Sequence, residues 1–275
     1  MTAKELIRAA LREDLQSRGD VTTQFFVPKS ARLRGAIIAK AAGVVCGGEV
    51  ARQVFRSVSP SCRVAIKTRD GRAVKPGQVI LEVSGGPGLL TAERTALNFL
   101  QHLSGVATLT ARYVRETKGT RAKILDTRKT LPGWRELEKY AVRCGGGVNH
   151  RVGLYDAVLL KDNHWALNSD VGAAVARVRR RYPKMTVEIE AADMKQVERA
   201  LEAGAGIVLL DNMPPALLRR AIHFIRRTRP LVRIEISGGV NLKNVRALAR
   251  LGPDRISIGR ITHSAPALDM SLEIA

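Results

Sequence analysis

A repeated unit of apolar strand and amphipathic helix fills the chain from about residue 121 onward. Each unit opens with a short apolar run that ends in polar or glycine-rich residues, and a segment of helical length such as DMKQVERALEAGA often follows. Strands that alternate with helices are typical of βαβ units in a parallel sheet. Such a succession of strands predicts a barrel or barrel-like closed sheet, with fewer than eight strands here. The six runs are AKILDT (122–127), DAVLLKDN (156–163), MTVEIEA (185–191), GIVLLDN (206–212), RIEISGG (233–239) and RISIGR (255–260).

The first 90 residues lack this repeat and predict a different module, antiparallel and packed with helices. KELIRAALREDL is typical of a helix, and VAIKTRDGRAVKPGQVILEVSGG predicts a hairpin with turns at Asp70–Gly71 and Pro76–Gly77. One or two long helices are expected from TAERTALNFLQHLSGVATLTARYVRETKG, and PALDMSLEI alternates like a strand that returns to this module. We therefore expect an α/β protein with an N-terminal α+β domain over residues 1–108, joined by 266–275, and a C-terminal α/β barrel over 109–265.

The formal charge of +21 comes from 46 Lys and Arg against 25 Asp and Glu. It is compatible with nucleic-acid binding, with a basic cleft for a polyanionic small molecule, or with an arginine-rich surface. The arginines of VARVRRRYPK and LRRAIHFIRRTRPLVR have helical spacing between apolar anchors, which favours the solvated outer faces of helices. Only 4% of residues are aromatic, so a stacking platform for nucleic acid is not expected.

Targeting and cysteine content indicate the compartment. The opening MTAKELIRAALRED is charged throughout, unlike a secretory signal, and no apolar run of about 18 residues predicts a membrane span. Cys46, Cys62 and Cys144 are odd in number and share no metal-ligand spacing, and we expect no partner that would make Cys144 a nucleophile. A reducing, cytoplasmic setting is therefore expected.

Polar and charged residues follow the predicted strands at the end where a barrel carries its site. Arginine suits the planes of carboxylate and phosphate groups, and lysine suits phosphate as a point charge. Cations, carboxylates and glycines should therefore lie together at one end of the predicted barrel, which we call the barrel mouth. The residues are Asp126 to Lys129, Lys161 to Asn163, Glu188, Glu190, Asp211, Asn212, Ser237 to Gly239, Gly259 and Arg260.

The acids and glycines of this mouth have more than one chemical interpretation. Glu190 and Asp211 could pair with cations structurally, act as acid and base, or hold Mg²⁺ with a phosphorylated substrate. Glu188 and Glu190 are two residues apart and point to the same face of the strand, so the alternation of side chains does not indicate which of them belongs to the site. Glycine-rich strand ends before helices, as in ISGGV and SIGR, let backbone N–H groups approach a phosphate. Together these features predict a phosphorylated, Mg²⁺-bound substrate and a second, carboxylated one.

The segment DTRKTLPGWRELEKYAVRCGGGVNHRVGLYDAVLLKDNH resembles the signature of the quinolinate phosphoribosyltransferase family. The similarity extends over nearly the whole chain, through LREDLQSRGDVTT, ERTALNFLQHLSGVAT, VLLDNM, EISGGV and SIGRITHSAPALDMSLEI. It implies an N-terminal open sandwich, an unusual α/β barrel, and a homodimer or a multiple of one. The implied reaction joins quinolinate to phosphoribosyl pyrophosphate and yields nicotinate mononucleotide, pyrophosphate and CO₂ in de novo NAD biosynthesis.

The resemblance also implies roles for single residues. Quinolinate would be held by Arg128, His150, Arg151 and Lys161, while Lys129 would bind the phosphoribosyl substrate beside Thr127. Glu190 and Asp211 would face its ribose hydroxyls, with Mg²⁺ bridging to pyrophosphate, and the 5′-phosphate would lie against Ser237, Gly238, Gly239 and Gly259. Arg94 would reach into the neighbouring subunit's site. The implied catalytic residues are Lys129, Lys161, Glu190 and Asp211.

Two other functions compete with this one. A paralogue of the same fold, found with molybdate-transport genes, has an uncertain substrate, and the complete cation set of Arg94, Arg128, His150, Arg151 and Lys161 argues against it. A nucleic-acid-binding protein would use the +21 charge without chemistry. The sequence departs from the family pattern in small ways, at Leu131, Trp134 and Arg260, none of which removes a charge-bearing position.

Overall fold

The computed structural model describes residues 1–167 and 170–274, which fall into two compact units. The first unit comprises residues 1–111, 129–147 and 260–274, and the second comprises 112–128 and 148–259 without residues 168 and 169. The predicted domain division at 108/109 and 265/266 stays a prediction; in these units, residues 129–147 belong with the N-terminal part of the chain.

The first unit is built on an antiparallel sheet. The sheet has the strand order β12-β1-β5-β3, and a separate pair joins β2 to β4. The terminal strand β12 pairs with β1, with Met270 opposite Ala39. The strands are β1 (Leu33–Ala39), β2 (Gly43–Val44), β3 (Arg63–Ile66), β4 (Ala73–Val74), β5 (Val79–Gly85) and β12 (Met270–Ile274). The helices are α1 (Ala3–Leu15), α2 (Val21–Phe26), α3 (Gly48–Val58), α5 (Arg135–Cys144) and α11 (Arg260–His263).

A single long helix, α4 (Gly88–Glu116), occupies the segment for which one or two helices were expected. It continues from the first unit into the second. The predicted turns are present, since Gly71 and Gly77 have φ angles of +82° and +81°, a conformation that glycine adopts at little cost. Among the described residues, no helix is both long enough and apolar enough to cross a membrane.

The second unit contains the predicted parallel sheet. All its registered strand pairs are parallel, in the order β6-β11-β10-β9-β8-β7, so the expected α/β class with six parallel strands is confirmed. The strands are β6 (Lys123–Leu125), β7 (Val158–Leu160), β8 (Val187–Ala191), β9 (Ile207–Asp211), β10 (Arg233–Ser237) and β11 (Arg255–Ser257). The helices are α6 (Asp162–Leu167), α7 (Val171–Arg181), α8 (Met194–Glu202), α9 (Pro215–Thr228) and α10 (Val245–Arg250).

The unit from β8 through α8 to β9 shows how the sequence specifies this sheet. Asp193 caps α8 by accepting the Gln196 N–H at 2.8 Å. The buried residues Val197, Ala200 and Leu201 are spaced three and four apart, so they form one apolar face. Gly204 then ends the helical segment with a φ of +84°, which a side chain would disfavour. Each apolar residue of leucine size on such a face contributes roughly 1.5–3 kcal/mol by its burial.

The arginine-rich segments lie where the helical spacing predicted. On α9 the buried residues are Leu218, Ala221, Ile222 and Ile225, while Arg219, Arg220 and Arg227 are exposed. Arg226 is an exception, because its Nη2 lies 2.7 Å from Asp254 Oδ2. The outer faces of these helices therefore account for part of the net charge without a ligand.

Cys144 has close neighbours that its sequence pattern did not indicate, and the expectation that none of them makes it a nucleophile stays a prediction. The Cys46 and Cys144 thiols and an Asp70 carboxylate oxygen lie within 4.8 Å of one another in the first unit. The hydrogen bond from the Cys46 thiol lowers the pKa of Cys144, while that same bond and burial raise the pKa of Cys46. The pattern missed this contact because the two cysteines are far apart in sequence.

Candidate active site

The predicted strand-end residues of the second unit do lie at the carboxyl edge of one parallel sheet. Lys161 follows β7, Glu190 lies near the end of β8, and Asp211 and Ser237 end β9 and β10. In the β9–β10 register, Asp211 is opposite Ser237. Because the neighbouring strands are parallel, these residues share one edge of the sheet.

Two arginines at this edge are close enough to influence each other. Burial and the neighbouring Arg128 charge both lower the pKa of Arg151. Arg128 Nε is buried and has no hydrogen-bond partner among the described residues. Arg151 is held by its Nη1, which donates to the Ala157 carbonyl at 3.0 Å. Two neighbouring guanidinium groups, one of which has a buried donor without a partner among the described residues, form a place where an anion is stabilised.

Lys161 and two carboxylates form a second polar group. Lys161 Nζ lies 3.7 Å from Glu190 Oε2, and the Lys161 N–H donates to His164 Nδ1 at 3.0 Å. Burial raises the pKa of Glu190, the Lys161 charge opposes this rise, and the Asp211 charge adds to it. Glu190 and Asp211 are therefore close enough to repel, so the pair is suited to a hydroxyl donor or a divalent cation.

Glycine is required where β10 ends. Gly238 has a φ of +85° and Gly239 a φ of +61°, both in the left-handed region. A Cβ on Gly238 would stand 2.2 Å from Asn212 Oδ1. Asn212 in turn donates its backbone N–H to the Ser237 carbonyl at 3.0 Å and its side-chain amide to Asp211. The SGG turn is thus packed against the end of β9, with Gly239 exposed and its carbonyl accepting the side-chain amide of Asn244 at 3.0 Å.

The remaining predicted residues are placed individually. Thr127 is half-buried just after β6, and Gly259 directly precedes α11. Lys129 belongs to the first unit, where it is exposed and its carbonyl accepts the Thr262 hydroxyl at 2.7 Å. Arg94, also in the first unit, is exposed on α4. Their predicted substrate contacts stay predictions.

The GGG stretch before His150 is explained by close packing. A Cβ on Gly145 would stand 2.4 Å from the Ala107 carbonyl, and one on Gly147 would stand 2.8 Å from Val142 Cγ1. Trp134, one of the departures from the family pattern, stacks on Phe99 with ring centroids 4.7 Å apart. These features fit the segment to the first unit.

A buried charged cluster accompanies the site and was largely missed from the sequence. His150 Nε2 lies 3.1 Å from Glu188 Oε2 and 3.3 Å from Glu235 Oε1, and Arg255 Nε lies 3.0 Å from Glu235 Oε2. Both carboxylates are almost fully buried. The sequence did offer one signal. Glu235 and Ser237 are two residues apart on one strand, as are Glu188 and Glu190 on another, so each pair points to the same face of the sheet. His150 was predicted to hold substrate; that contact stays a prediction.

The protonation of His150 is fixed by its neighbours. Burial alone would lower the pKa of His150, but the Glu188 and Glu235 carboxylates outweigh it and raise that pKa. In opposition, Nδ1 accepts the Arg151 backbone N–H at 2.8 Å, which a proton on Nδ1 would prevent. A pKa raised to about 9 would by itself favour the imidazolium, but a proton on Nδ1 would break the bond from Arg151. On this geometry we assign the neutral ring, with its proton on Nε2 and directed to the carboxylates. Burial also raises the pKa of Glu188.

Comparison with known proteins gives consistent results. Residues 106–273 match the family model described as "Quinolinate phosphoribosyl transferase, C-terminal domain", and residues 20–104 match the N-terminal domain of the same family. The chain is 42% identical over 275 residues to the carboxylating nicotinate-nucleotide pyrophosphorylase of Mycobacterium leprae, covering 99% of this chain and 97% of the relative. It is 37% identical to the probable enzyme of that name from Bacillus subtilis, over 98% of this chain and 93% of the relative.

Solved structures agree with these sequence matches. The nicotinate-nucleotide pyrophosphorylase from Ehrlichia chaffeensis superposes with a TM-score of 0.94 at 36% identity, covering 100% of this chain and 99% of that one. The protein of that name from Francisella tularensis gives a TM-score of 0.92 at 36% identity, covering 99% and 96% of the two chains. The similarity therefore includes both units of the fold.

Proposed function

The chain belongs to the quinolinate phosphoribosyltransferase family, and we propose that it is a carboxylating nicotinate-nucleotide pyrophosphorylase. It transfers the phosphoribosyl group of phosphoribosyl pyrophosphate to quinolinate. The products are nicotinate mononucleotide, pyrophosphate and CO₂, in the de novo biosynthesis of NAD.

The observation that carries this assignment is the pair Arg128 and Arg151. Arg128 has a buried Nε without a partner among the described residues, and its charge lowers the pKa of Arg151. Two cations that repel each other are stabilised by a ligand with two negative groups. Quinolinate is a dicarboxylate, and Lys161 supplies a third cation at the same sheet edge. The predicted contact of His150 with the same substrate stays a prediction, because Nδ1 accepts the Arg151 N–H and Nε2 faces the Glu188 and Glu235 carboxylates.

The acidic residues and the glycines at the strand ends are proposed to bind the phosphoribosyl substrate. Glu190 and Asp211 face the ribose hydroxyls, and Lys129 binds the phosphoribosyl substrate beside Thr127. Burial raises the Glu190 pKa and the Asp211 charge adds to this rise, which supports a divalent cation here, and Mg²⁺ bound with the substrate would neutralise the leaving pyrophosphate. The left-handed turn at Gly238 and Gly239 supports a backbone cradle for the 5′-phosphate, which extends to Ser237 and Gly259.

The proposed chemistry has two stages. The pyridine nitrogen attacks the anomeric carbon as pyrophosphate leaves, and the carboxylates of Glu190 and Asp211 stabilise the oxocarbenium-like charge that develops on the ribose. Ribosylation makes the ring nitrogen cationic. That cation stabilises the carbanion formed when the adjacent carboxylate departs as CO₂, so decarboxylation comes second; the carbanion then takes a proton from water to give nicotinate mononucleotide.

We also propose that the active protein is a homodimer or a multiple of one, and that its setting is the cytoplasm. Arg94 is exposed on α4, which supports its assignment to the neighbouring subunit's site. A two-fold axis would complete two such sites at once. The three cysteines are free thiols, which suits a reducing compartment.

Substrate selectivity tests the proposal. The purified protein is incubated with phosphoribosyl pyrophosphate, Mg²⁺ and either quinolinate or nicotinate, and mononucleotide formation is followed. We expect turnover of quinolinate and very poor turnover of nicotinate, because a monocarboxylate leaves part of the cation cluster unpaired. Comparable rates with both acids, or no turnover of quinolinate, would contradict the assignment.

A further inference from the structure

Buried charged side chains lie among apolar ones on one face of the parallel sheet, below the strand ends. In barrels of parallel strands the interior is normally filled by branched apolar side chains. Here Glu188 on β8 is 1% exposed, and Glu235 on β10 is 0% exposed. Removing carboxylates from water is costly, and buried ion pairs are weak evidence for stability. The cost therefore calls for a role other than packing.

The two carboxylates converge on one nitrogen of the His150 ring, Nε2. Glu188 Oε2 and Glu235 Oε1 lie 3.1 Å and 3.3 Å from His150 Nε2, the nitrogen to which the Arg151–Nδ1 hydrogen bond assigns the proton. Arg255 Nε forms an ion pair with the other Glu235 oxygen at 3.0 Å, and neither Glu235 oxygen has a hydrogen-bond partner among the described residues, so Glu235 acts on the ring through its charge. The ring is itself only 8% exposed, so water offers little competition for Nε2.

The opposite side of the same ring is connected to Arg151. His150 Nδ1 accepts the Arg151 backbone N–H at 2.8 Å, and Asp126 Oδ1 accepts the His150 backbone N–H at 2.8 Å. The ring can accept at Nδ1 only while its proton is on Nε2. The carboxylates thus select the tautomer that holds the Arg151 backbone, from which the guanidinium reaches the Ala157 carbonyl at 3.0 Å.

We propose that Glu188 and Glu235 are positioning residues that hold His150 as the Nε2–H tautomer and, through it, set the place of Arg151 beside Arg128. This role rests on the proposed function, because it assigns the pair of guanidinium groups to quinolinate. Ordering of catalytic-site cations by buried acceptors is analogous to the groups that orient metal-binding or catalytic histidines. The phosphoribosyl substrate, assigned to Glu190 and Asp211, should be affected much less.

Substitutions at Glu188 separate positioning from general stability. Glu188→Ala removes the acceptor, Glu188→Gln keeps an amide oxygen at that place, and Glu198→Ala removes an exposed glutamate of α8 as a matched control. We expect Glu188→Ala to raise the KM for quinolinate at least about tenfold, the effect of losing one charge-assisted contact, while the KM for phosphoribosyl pyrophosphate changes less than about threefold. Glu188→Gln should restore the KM for quinolinate to near the wild-type value, and Glu198→Ala should not alter either KM.

Two outcomes of these kinetics would overturn the positioning role. One is an unchanged KM for quinolinate in a Glu188→Ala protein that unfolds as cooperatively as wild type. The other is an equal rise of both KM values, because a merely structural defect has no preference between the substrates.

A second measurement uses the intact protein and decides the matter even if Glu188→Ala does not fold. ¹⁵N-labelled histidine is incorporated, and the His150 signals are assigned by comparison with His150→Asn. We expect the Nε2–H tautomer with an unprotonated Nδ1 in the resting protein. An imidazolium or the Nδ1–H tautomer would overturn the proposal. Failure of wild-type protein to convert quinolinate would instead overturn the proposed function. The tautomer of His150 measured by NMR does not depend on turnover, so the two failures can be distinguished.

Discussion

Replacing Lys161 by alanine should remove quinolinate binding without unfolding the protein. Lys161 Nζ is 3.7 Å from Glu190 Oε2, and the two side chains are 50% and 15% exposed. Ion pairs with such exposure contribute about 0–1 kcal/mol to folding. The Lys161 backbone N–H that donates to His164 Nδ1 survives the substitution, so the start of α6 is retained. The free energy of unfolding should therefore fall by less than about 1 kcal/mol.

The effect on the substrate should be larger. A charge-assisted contact to a carboxylate is worth about 1.5–3 kcal/mol, which corresponds to roughly 10- to 150-fold in affinity. Loss of Lys161 also removes the charge that opposes the raised pKa of Glu190, so the assay is run at mildly alkaline pH to keep that carboxylate ionised. Initial rates at varied quinolinate give the KM, and urea unfolding gives the stability.

The control is Lys184→Ala, which removes an exposed lysine of the same unit. It should leave both the KM for quinolinate and the stability near wild type. A Lys161→Ala protein that is folded and has an unchanged KM for quinolinate would refute the reasoning, and so would a loss of activity explained by unfolding.

Three further substitutions test other parts of the account. Gly238→Ala places a Cβ 2.2 Å from Asn212 Oδ1 at a φ of +85°, so urea unfolding should show a loss of roughly 1–2 kcal/mol; wild-type stability would contradict the packing described. The Thr23 hydroxyl and N–H lower the pKa of Asp20, so its charge stabilises the fold above the unfolded pKa of about 3.9 and ceases to do so as pH falls through the lower folded value. The advantage of wild type over Asp20→Asn in urea unfolding should accordingly be present at neutral pH and vanish in strong acid; an advantage independent of pH would contradict this. Arg94→Ala and Lys161→Ala should each be nearly inactive, yet recover about a quarter of wild-type activity after subunit exchange, whereas no recovery despite demonstrated exchange would place Arg94 outside the neighbouring site.

The fold was largely predictable because its signals are local. The strand-then-helix repeat gave the six parallel strands, and the caps and apolar faces of helices such as α8 follow from nearby residues. The strand ends also indicated which polar residues share one edge of the sheet. Asp211 and Ser237 follow from this rule, since parallel strands end on the same side.

What could not be predicted depends on contacts between distant residues. Alternation places Glu188 and Glu190 on the same face but does not give their depth; the structure buries Glu188 against His150 and leaves Glu190 near Lys161. Nothing near Cys144 in the sequence indicates Cys46 as its neighbour. The grouping of residues 129–147 with the first unit likewise depends on tertiary packing.

The central claim is that this protein couples phosphoribosyl transfer to loss of one carboxylate. The direct test supplies quinolinate labelled with ¹³C in the carboxylate adjacent to the ring nitrogen, together with phosphoribosyl pyrophosphate and Mg²⁺. The account predicts that labelled CO₂, unlabelled nicotinate mononucleotide and pyrophosphate form in equal amounts. Mononucleotide that retains the label, or CO₂ released without phosphoribosyl pyrophosphate, would contradict it.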